Sequence, residues 1–440
     1  MIAIVVLSIV MFGVNAVFWS AVGGMRRIEQ FRQERIAGPS GGQVAGRGAR
    51  SAERLTPDDV AILIAAHNEE LVVELTIGSA CSLVPASNVH VVSDGSSDRT
   101  ADLARSDGAR VLELQPNVGK AGALAAAIEN FGLSEKYAVV LLLDADTRLS
   151  ADYLETGLPY FDDPDVVAVA GRAATNVDPT PATRLGRILV AYRERVYVAM
   201  QLLIKYGQAA KRANVVSIVP GFASMYRTNI LSRIDIDAPG LVIEDFNMTF
   251  DVHAQQLGRI AFHPSAAVAY TQDPDSFREY TNQVRRWTLG FWQTVRRHRV
   301  RADKFWLALS FYIAELIISS VVLLLFVPLL VVSLAAAAAA RWMPAPPEPL
   351  VEFANTLPPL YLVLGLLIPD LILTVLAVVT MKRPRYLLYA PIFPLIRIVD
   401  SYLCLRSLAQ SRAGGSSGRW TSPTRRAVVD GRASYPEELV

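Results

Sequence analysis

Two long apolar blocks near the C-terminal end limit this chain most. Residues 305–340 contain one charged residue, Glu315, and residues 358–380 contain one, Asp370. A third block, residues 2–22, contains none. About 20 apolar residues in a helix cross the roughly 30 Å hydrocarbon core of a bilayer. All three blocks meet that length. They also account for a composition that is 52% hydrophobic and only 19% charged, against about 25% charged in ordinary soluble domains. Such a chain is neither wholly water-soluble nor mostly disordered. Its 440 residues leave room for a sizeable soluble unit between the first block and the second.

Charge next to the blocks sets an expected orientation. Arg26, Arg27, Arg32 and Arg35 follow the first block, and Lys382, Arg383 and Arg385 follow the third. The positive-inside rule places both flanks in the cytoplasm. No basic segment precedes residues 2–22 and no small-residue cleavage site follows, so this block reads as an uncleaved anchor rather than a signal peptide. The chain then crosses inward at 2–22, outward at about 306–336 and inward at 358–380. Residues 386–410 are apolar but interrupted by Pro391, Pro394, Arg397 and Asp400, which suggests a broken or interfacial helix. A fourth full span is the rival reading. The basic run Arg296–Arg301 suits contact with anionic membrane lipid. The acids inside the apolar blocks, Glu315 and Asp370, are functional candidates by default, facing a channel, a transport path or a partner helix. The expected layout is a membrane helix at 1–24, a Gly/Ser/Arg-rich linker at 25–58, a soluble domain at 59–300, membrane or interfacial helices at 301–410 and a cytoplasmic tail at 411–440. A net charge of +2 gives no reason to expect nucleic acid. The two cysteines, Cys81 and Cys404, are too few and too far apart for a disulfide framework or a zinc site.

Between the blocks, short β-rich runs alternate with helical patterns. The runs are Val60–Ala65, Val89–Val92, Arg110–Leu114, Ala138–Leu143 and Val166–Ala170. Helical stretches such as Glu70–Leu83 and Ala121–Phe131 lie between them. This alternation predicts an α/β fold with a mostly parallel, Rossmann-like sheet. Ligands on such sheets collect at the C-terminal ends of the strands.

Chemistry-bearing residues sit at those ends. One apolar run stops at Asp144-Ala145-Asp146, two carboxylates that would share a face on an extended chain and repel unless a cation lies between them. Mg²⁺ together with a diphosphate meets that demand. Another run stops at Ser93-Asp94-Gly95, where Asp94 reads either as a nucleoside contact or as an Asx-turn cap. His67-Asn68-Glu69-Glu70 follows the first run. Lys120, in Asn117-Val118-Gly119-Lys120, stands at a helix start where it could face a phosphate, although the spacing is not that of a Walker loop. Glu244-Asp245 reads either as a general-base site or as a plain helix N-terminus. Gln283, Arg286 and Trp287 are spaced i, i+3 and i+4, which puts an amide, a guanidinium and an indole on one helix face. Arg suits diphosphate oxygens and Trp a sugar ring.

Taken in order, HNEE, SDGSSD, GKAGAL, DAD, PGFAS, IED and QVRRW resemble the membrane-embedded processive family-two glycosyltransferases, which make hyaluronan, chitin, cellulose and poly-N-acetylglucosamine. The resemblance runs from about residue 58 to Arg425. It implies a cytoplasmic GT-A domain followed by membrane helices in a multi-pass plasma-membrane protein. It implies an inverting β-transferase that moves a sugar, N-acetylglucosamine foremost, from a UDP-sugar to a growing polysaccharide, with export into the membrane helices. A single addition to a lipid acceptor, as in ceramide glucosyltransferases, is the alternative.

By the same resemblance, Glu69 and Asp94 contact the nucleotide, and Asp144 and Asp146 hold Mg²⁺ or Mn²⁺ with the diphosphate. Lys120, Gln283 and Arg286 complete the nucleotide-sugar site. Asp245 is the catalytic base, beside Glu244. Gly221, Ser224 and Trp287 face the acceptor. An accessory subunit is left open. Ala65, His67, Ser93 and Ile243 depart from common family residues. These departures weaken assignment to cellulose synthesis without removing a required carboxylate.

Overall fold

A computed structural model describes residue 9, residues 12–37 and residues 54–412. Parts of three expected segments lie outside the described residues: most of the first half of the block at 2–22, the linker at 38–53 and the tail beyond 412, with its R-W-T-S-P-T-R run.

The apolar runs form strands, and two faces of apolar residues decide how they stack. The strands are β1 (Val60–Ala66), β2 (Val89–Asp94), β3 (Arg110–Leu114), β4 (Val139–Asp144), β5 (Thr147–Leu149), β6 (Val166–Ala170), β7 (Arg172–Thr175), β8 (Ala223–Arg227), β9 (Arg259–Ala261) and β10 (Val268–Thr271). Seven of them make one sheet in the order β3-β2-β1-β4-β8-β6-β9. The first four neighbours are all parallel. β8 then runs antiparallel to both β4 and β6. Every residue of β1 and β2 is buried, the continuous apolar pattern of a sheet covered on both sides. Alternate side chains divide between two cores. Ile62 and Ile64 pack with Val73 and Ile77 on one face. Ala61 and Leu63 pack with Leu124 and Ala127 on the other. Helix α1 (Val14–Ala37) lies near the start of the chain, and the second core includes α2 (Lys120–Phe131). A smaller sheet, β5-β10-β7, begins directly after the Asp146 turn.

Helix α3 (Arg184–Val198) continues through a π-helical stretch, Ala199–Lys205, into Tyr206–Gln208. Then come α4 (Glu244–Ala254), α5 (Phe277–Arg297), α6 (Lys304–Trp342), α7 (Pro359–Met381) and α8 (Phe393–Gln410). Two stretches, Lys304–Trp342 and Glu348–Met381, are long and apolar enough to cross a membrane. Large apolar side chains on them stand open, among them Leu307, Phe311, Leu325 and Val379. In the segment read as a broken helix, Pro394 falls in the first turn of α8, where its missing N–H costs nothing. α8 packs against α5 and α6, so it joins the apolar helices to the α/β unit.

The acids of the apolar blocks have partners on other helices. Asp370 on α7 pairs with Arg195 on α3 at 2.7 Å, and its other oxygen lies 4.0 Å from Arg397 on α8. Glu315 on α6 accepts the backbone N–H of Asn15 at 2.8 Å. That carboxylate therefore meets the positive N-terminal end of α1.

Asp370 and Arg195 are both almost fully buried. Removing one partner leaves an uncompensated charge, which costs about 3–5 kcal/mol, whereas replacing both by apolar residues is often neutral. Asp370→Ala should therefore lower the thermal midpoint in detergent strongly, and the pair Asp370→Leu with Arg195→Met should recover most of the loss. Equal melting of wild type and Asp370→Ala would refute the role of this pair.

Candidate active site

The site begins where β4 ends. Asp144 is the last residue of the strand, and Ala145-Asp146 turns the chain into β5. The two acids are thus not alternate residues of one extended strand, as expected from the sequence, but flank a turn. Both still face one cavity. Asp146 is buried, and its Oδ1 accepts from Thr147 Oγ1 at 3.3 Å.

The cation beside Asp144 is Lys120. Its Nζ lies 2.7 Å from Asp144 Oδ1 and 2.8 Å from Glu244 Oε1, and it donates to the Gly221 carbonyl at 3.2 Å. A lysine at the first position of a helix opposes the helix dipole; here two carboxylates offset that cost. Burial alone would lower the affinity of Lys120 for its proton. Asp144 and Glu244 outweigh burial and hold it above the usual lysine range.

Lys120 is aimed by Asp94. The Asp94 side chain is fully buried, and its two oxygens accept the N–H groups of Val118 and Gly119, each at 2.8 Å. Gly119 takes φ +89, a conformation glycine tolerates best. Asp94 therefore acts as a clamp on the loop before α2. Glu69 is likewise buried, behind Thr100, whose Oγ1 accepts its N–H at 2.8 Å. Neither Glu69 nor Asp94 lines the cavity.

Glu244 and Asp245 open α4, where the helix N-terminus favours negative charge. Close approach to α5 puts them in the site. A side chain on Gly290 would strike Ile243 at 2.6 Å, so glycine lets the two helices touch. The N–H of Val242 also donates to Gln293 Oε1 at 3.0 Å. Asp245 is partly open to the cavity. Its oxygens accept from Phe246 N at 2.7 Å and Gly221 N at 3.3 Å. Burial and the neighbouring Glu244 push its pKa up to about 7, with Lys120 and the two backbone bonds opposing. Gly221 sits above this cluster, where a Cβ would lie 2.9 Å from Glu244 Oε1.

Gln283, Arg286 and Trp287 all reach the same cavity from α5, as their spacing predicts. Arg286 forms no ion pair among the described residues. Ser224, expected at the acceptor, is not there. It is fully buried in β8, where its hydroxyl donates to the Pro220 carbonyl at 2.7 Å and accepts from Gly171 N at 3.1 Å. The cavity has a volume of about 830 Å³ and runs from Asp144 and Asp146 past α5 to Ser319, Leu323 and Leu373 on the apolar helices.

Among the cations in this wall that carry no motif are Arg193 and Lys205. Arg193 on α3 covers the Trp287 ring at 4.1 Å. Lys205, in the π-helical stretch, is buried, and burial pushes its pKa down to about 8 against the pull of Asp245. Their helix precedes the PGFAS motif and has no sequence signature of its own. The signal that was present is polar: RERVYVAMQLLIK places charges inside an amphipathic helix.

The residues fit a divalent cation. Mg²⁺ is usually held by one or two carboxylates plus substrate phosphates. Both carboxylates line the cavity, and the buried Asp144 Oδ1 lies 2.7 Å from the Lys120 ammonium. Asp144 and Asp146 are the residues that would hold the ion.

Residues 139–343 match the family described as Glycosyl transferase family group 2. That stretch, just under half of the chain, is similar to a family 2 glycosyltransferase domain. Together with the sheet order, this makes the soluble unit a GT-A-like α/β fold. Similar proteins include a "Probable glycosyltransferase YdaM" of Bacillus subtilis, 26% identical over 279 residues that cover 58% of this chain and 62% of the relative. A poly-β-1,6-N-acetyl-D-glucosamine synthase of Staphylococcus epidermidis is 25% identical over 264 residues, covering 57% of this chain and 60% of the relative. The chain thus spans about three-fifths of the length of these relatives. Among solved structures, a mannosyltransferase from Pyrobaculum calidifontis, in complex with GDP-Man and Mn²⁺, aligns with TM-score 0.49 and 17% identity. That alignment covers 83% of this chain and 96% of that one. Glucosyl-3-phosphoglycerate synthase from Mycobacterium tuberculosis aligns with TM-score 0.37 and 16% identity, covering 55% and 79%.

The raised pKa of Asp245 can be read without any substrate. In infrared difference spectra of wild type against Asp245→Asn, a protonated carboxyl band should disappear as pH rises through about 7. Lys120 favours the ionised form, so Lys120→Met should move that loss to higher pH. A band absent already at pH 5 would contradict the site electrostatics.

Proposed function

We propose that this chain is an inverting β-glycosyltransferase that moves a sugar, N-acetylglucosamine foremost, from a UDP-sugar to a growing polysaccharide at a membrane. One observation carries the reading. Asp144, Asp146, Glu244 and Asp245 share a cavity with Gln283, Arg286 and Trp287, and that cavity continues between the apolar helices. The relatives named as poly-N-acetylglucosamine synthases support the choice of sugar.

The roles follow from position and charge. Asp245, whose pKa lies near neutrality, takes the proton from the acceptor hydroxyl as that oxygen bonds to the anomeric carbon. The bond from that carbon to the diphosphate breaks on the opposite side, and UDP leaves. Arg286 and the Gln283 amide receive the diphosphate oxygens. Lys120 holds Glu244 in place. Trp287 gives the acceptor sugar a flat apolar platform. A divalent cation held by Asp144 and Asp146, Mg²⁺ or Mn²⁺, would offset the charge on the departing diphosphate.

The α/β unit at 59–300 lies on the cytoplasmic side, where UDP-sugars are made, and the apolar helices at 301–410 cross or line the bilayer. Their exposed apolar side chains support this placement. The polymer extends from Trp287 along the cavity towards Ser319 and Leu323. Those apolar walls also suit a lipid acceptor, which is the second reading. Product size separates the two: a ladder of long products for the polymer, one sugar per lipid for the alternative.

A positioned general base contributes about 10²- to 10⁴-fold. Asp245→Asn should therefore cut UDP release from UDP-N-acetylglucosamine by that factor while leaving UDP binding intact. In wild type, turnover should rise with pH through about 7 as Asp245 loses its proton. Unchanged turnover in the variant would remove Asp245 from the mechanism.

A further inference from the structure

Arg193 sits behind the α5 motif and touches two of its three residues. It is almost fully buried. Its guanidinium lies over the Trp287 ring at 4.1 Å, and its Nη2 donates to Gln283 Oε1 at 2.7 Å. Its Nε lies 3.6 Å from Asp273 Oδ1. Asp273 is itself fixed: Thr175 Oγ1 donates to it at 2.8 Å and Tyr197 Oη at 2.9 Å. The guanidinium is thus anchored on one edge and works through its face and its remaining edge.

Two consequences follow from elementary chemistry. A cation over one face of an indole holds the ring and occupies that face, so only the rest of the ring is open to the cavity. Arginine also has donors and no acceptor. Gln283 must therefore turn its oxygen to Arg193, which leaves its NH₂ group as the donor for the cavity side. A glutamine in the opposite orientation would offer an oxygen to anionic ligands and repel them.

We propose that Arg193 is a positioning residue for the transfer. It sets the tilt of Trp287 towards the acceptor sugar and fixes Gln283 as a hydrogen-bond donor to the diphosphate. This rests on the transferase reading above, and nothing in the α5 motif itself signals it.

The test uses the full chain in detergent with UDP-N-acetylglucosamine, Mg²⁺ and an N-acetylglucosamine tetrasaccharide as acceptor. Arg193→Lys keeps the charge but not the flat fork. It should raise the acceptor KM about tenfold, the size expected for losing a buried stacked cation, and should raise the donor KM as well, because the Nη2 donor that orients Gln283 is gone. Acrylamide quenching of Trp287, taken as the difference from Trp287→Phe, should increase in the same variant. Gln283→Glu keeps an oxygen for Arg193 and loses the donor. It should melt no lower than wild type, leave Trp287 quenching unchanged and raise the donor KM. If Arg193→Lys does not fold, Arg193→Gln with Asp273→Asn removes the charge pair together, and the same shifts in acceptor KM and quenching are expected. Unchanged acceptor KM and quenching in a folded Arg193 variant would overturn the proposal, as would an unchanged donor KM in Gln283→Glu. Should wild type transfer no sugar, the transferase reading fails separately. The quenching of Trp287 then decides whether Arg193 holds the ring, and unchanged quenching overturns the proposal.

Discussion

The site is organised by one buried ammonium between two carboxylates. Lys120 links the end of β4, through Asp144, to the start of α4, through Glu244. These segments are far apart in the chain, and without the lysine their acids would repel across the cavity. The arrangement sets three things at once. It brings the C-terminal mouth of the parallel sheet up to the helix that carries Asp245. It pairs Lys120 with Glu244, which together with burial makes Asp245 hold its proton nearer to neutral pH. It also holds the Asp144 carboxylate at the wall of the cavity. Asp94 and Gly119 support the arrangement by fixing the loop from which Lys120 starts.

A second set of contacts joins this centre to the apolar helices. Gly290 lets α5 touch Ile243, immediately before the acids of α4. α8 packs on both α5 and α6, and Asp370 reaches from α7 to Arg195 on α3. The helix that bears Arg195 also bears Arg193, which braces Trp287. The helices suited to a bilayer and the residues suited to sugar transfer therefore share supports, and a shift in one group would be felt in the other. That sharing makes physical sense of a cavity that runs from the carboxylates into the apolar bundle.

Much of this was legible in the residues because it rests on local rules. β-rich runs named β1, β2, β3, β4 and β6 within a residue or two; β1, β4 and β6 are apolar and covered on both faces, where little alternation is expected, while β3 is a partly open edge strand. The spacing of Gln283, Arg286 and Trp287 fixed their common face because helical period alone decides it. What stayed hidden depends on contacts between distant segments. β8 enters the sheet antiparallel, between β4 and β6, from a segment with a mixed pattern, Ala-Ser-Met-Tyr-Arg. Ser224 belongs to the PGFAS motif, yet strand pairing turns its hydroxyl into the sheet. Asp94 occupies a position that reads equally as ligand or cap, and its bonds to Val118 and Gly119 depend on a distant loop. Asp144 and Asp146 flank a turn that no period-two argument could foresee. Arg193 and Lys205 belong to a helix whose π-helical stretch is invisible to pattern reading.

The most direct test of the central claim is to size the product made by purified protein in sealed vesicles. The vesicles would carry the α/β unit outward and be supplied with labelled UDP-N-acetylglucosamine and Mg²⁺. A carboxylate site opening into apolar helices predicts a ladder of long labelled saccharides, abolished by Asp245→Asn and protected within the vesicle lumen. Labelled lipid bearing a single sugar, or no release of UDP from any UDP-sugar, would contradict it.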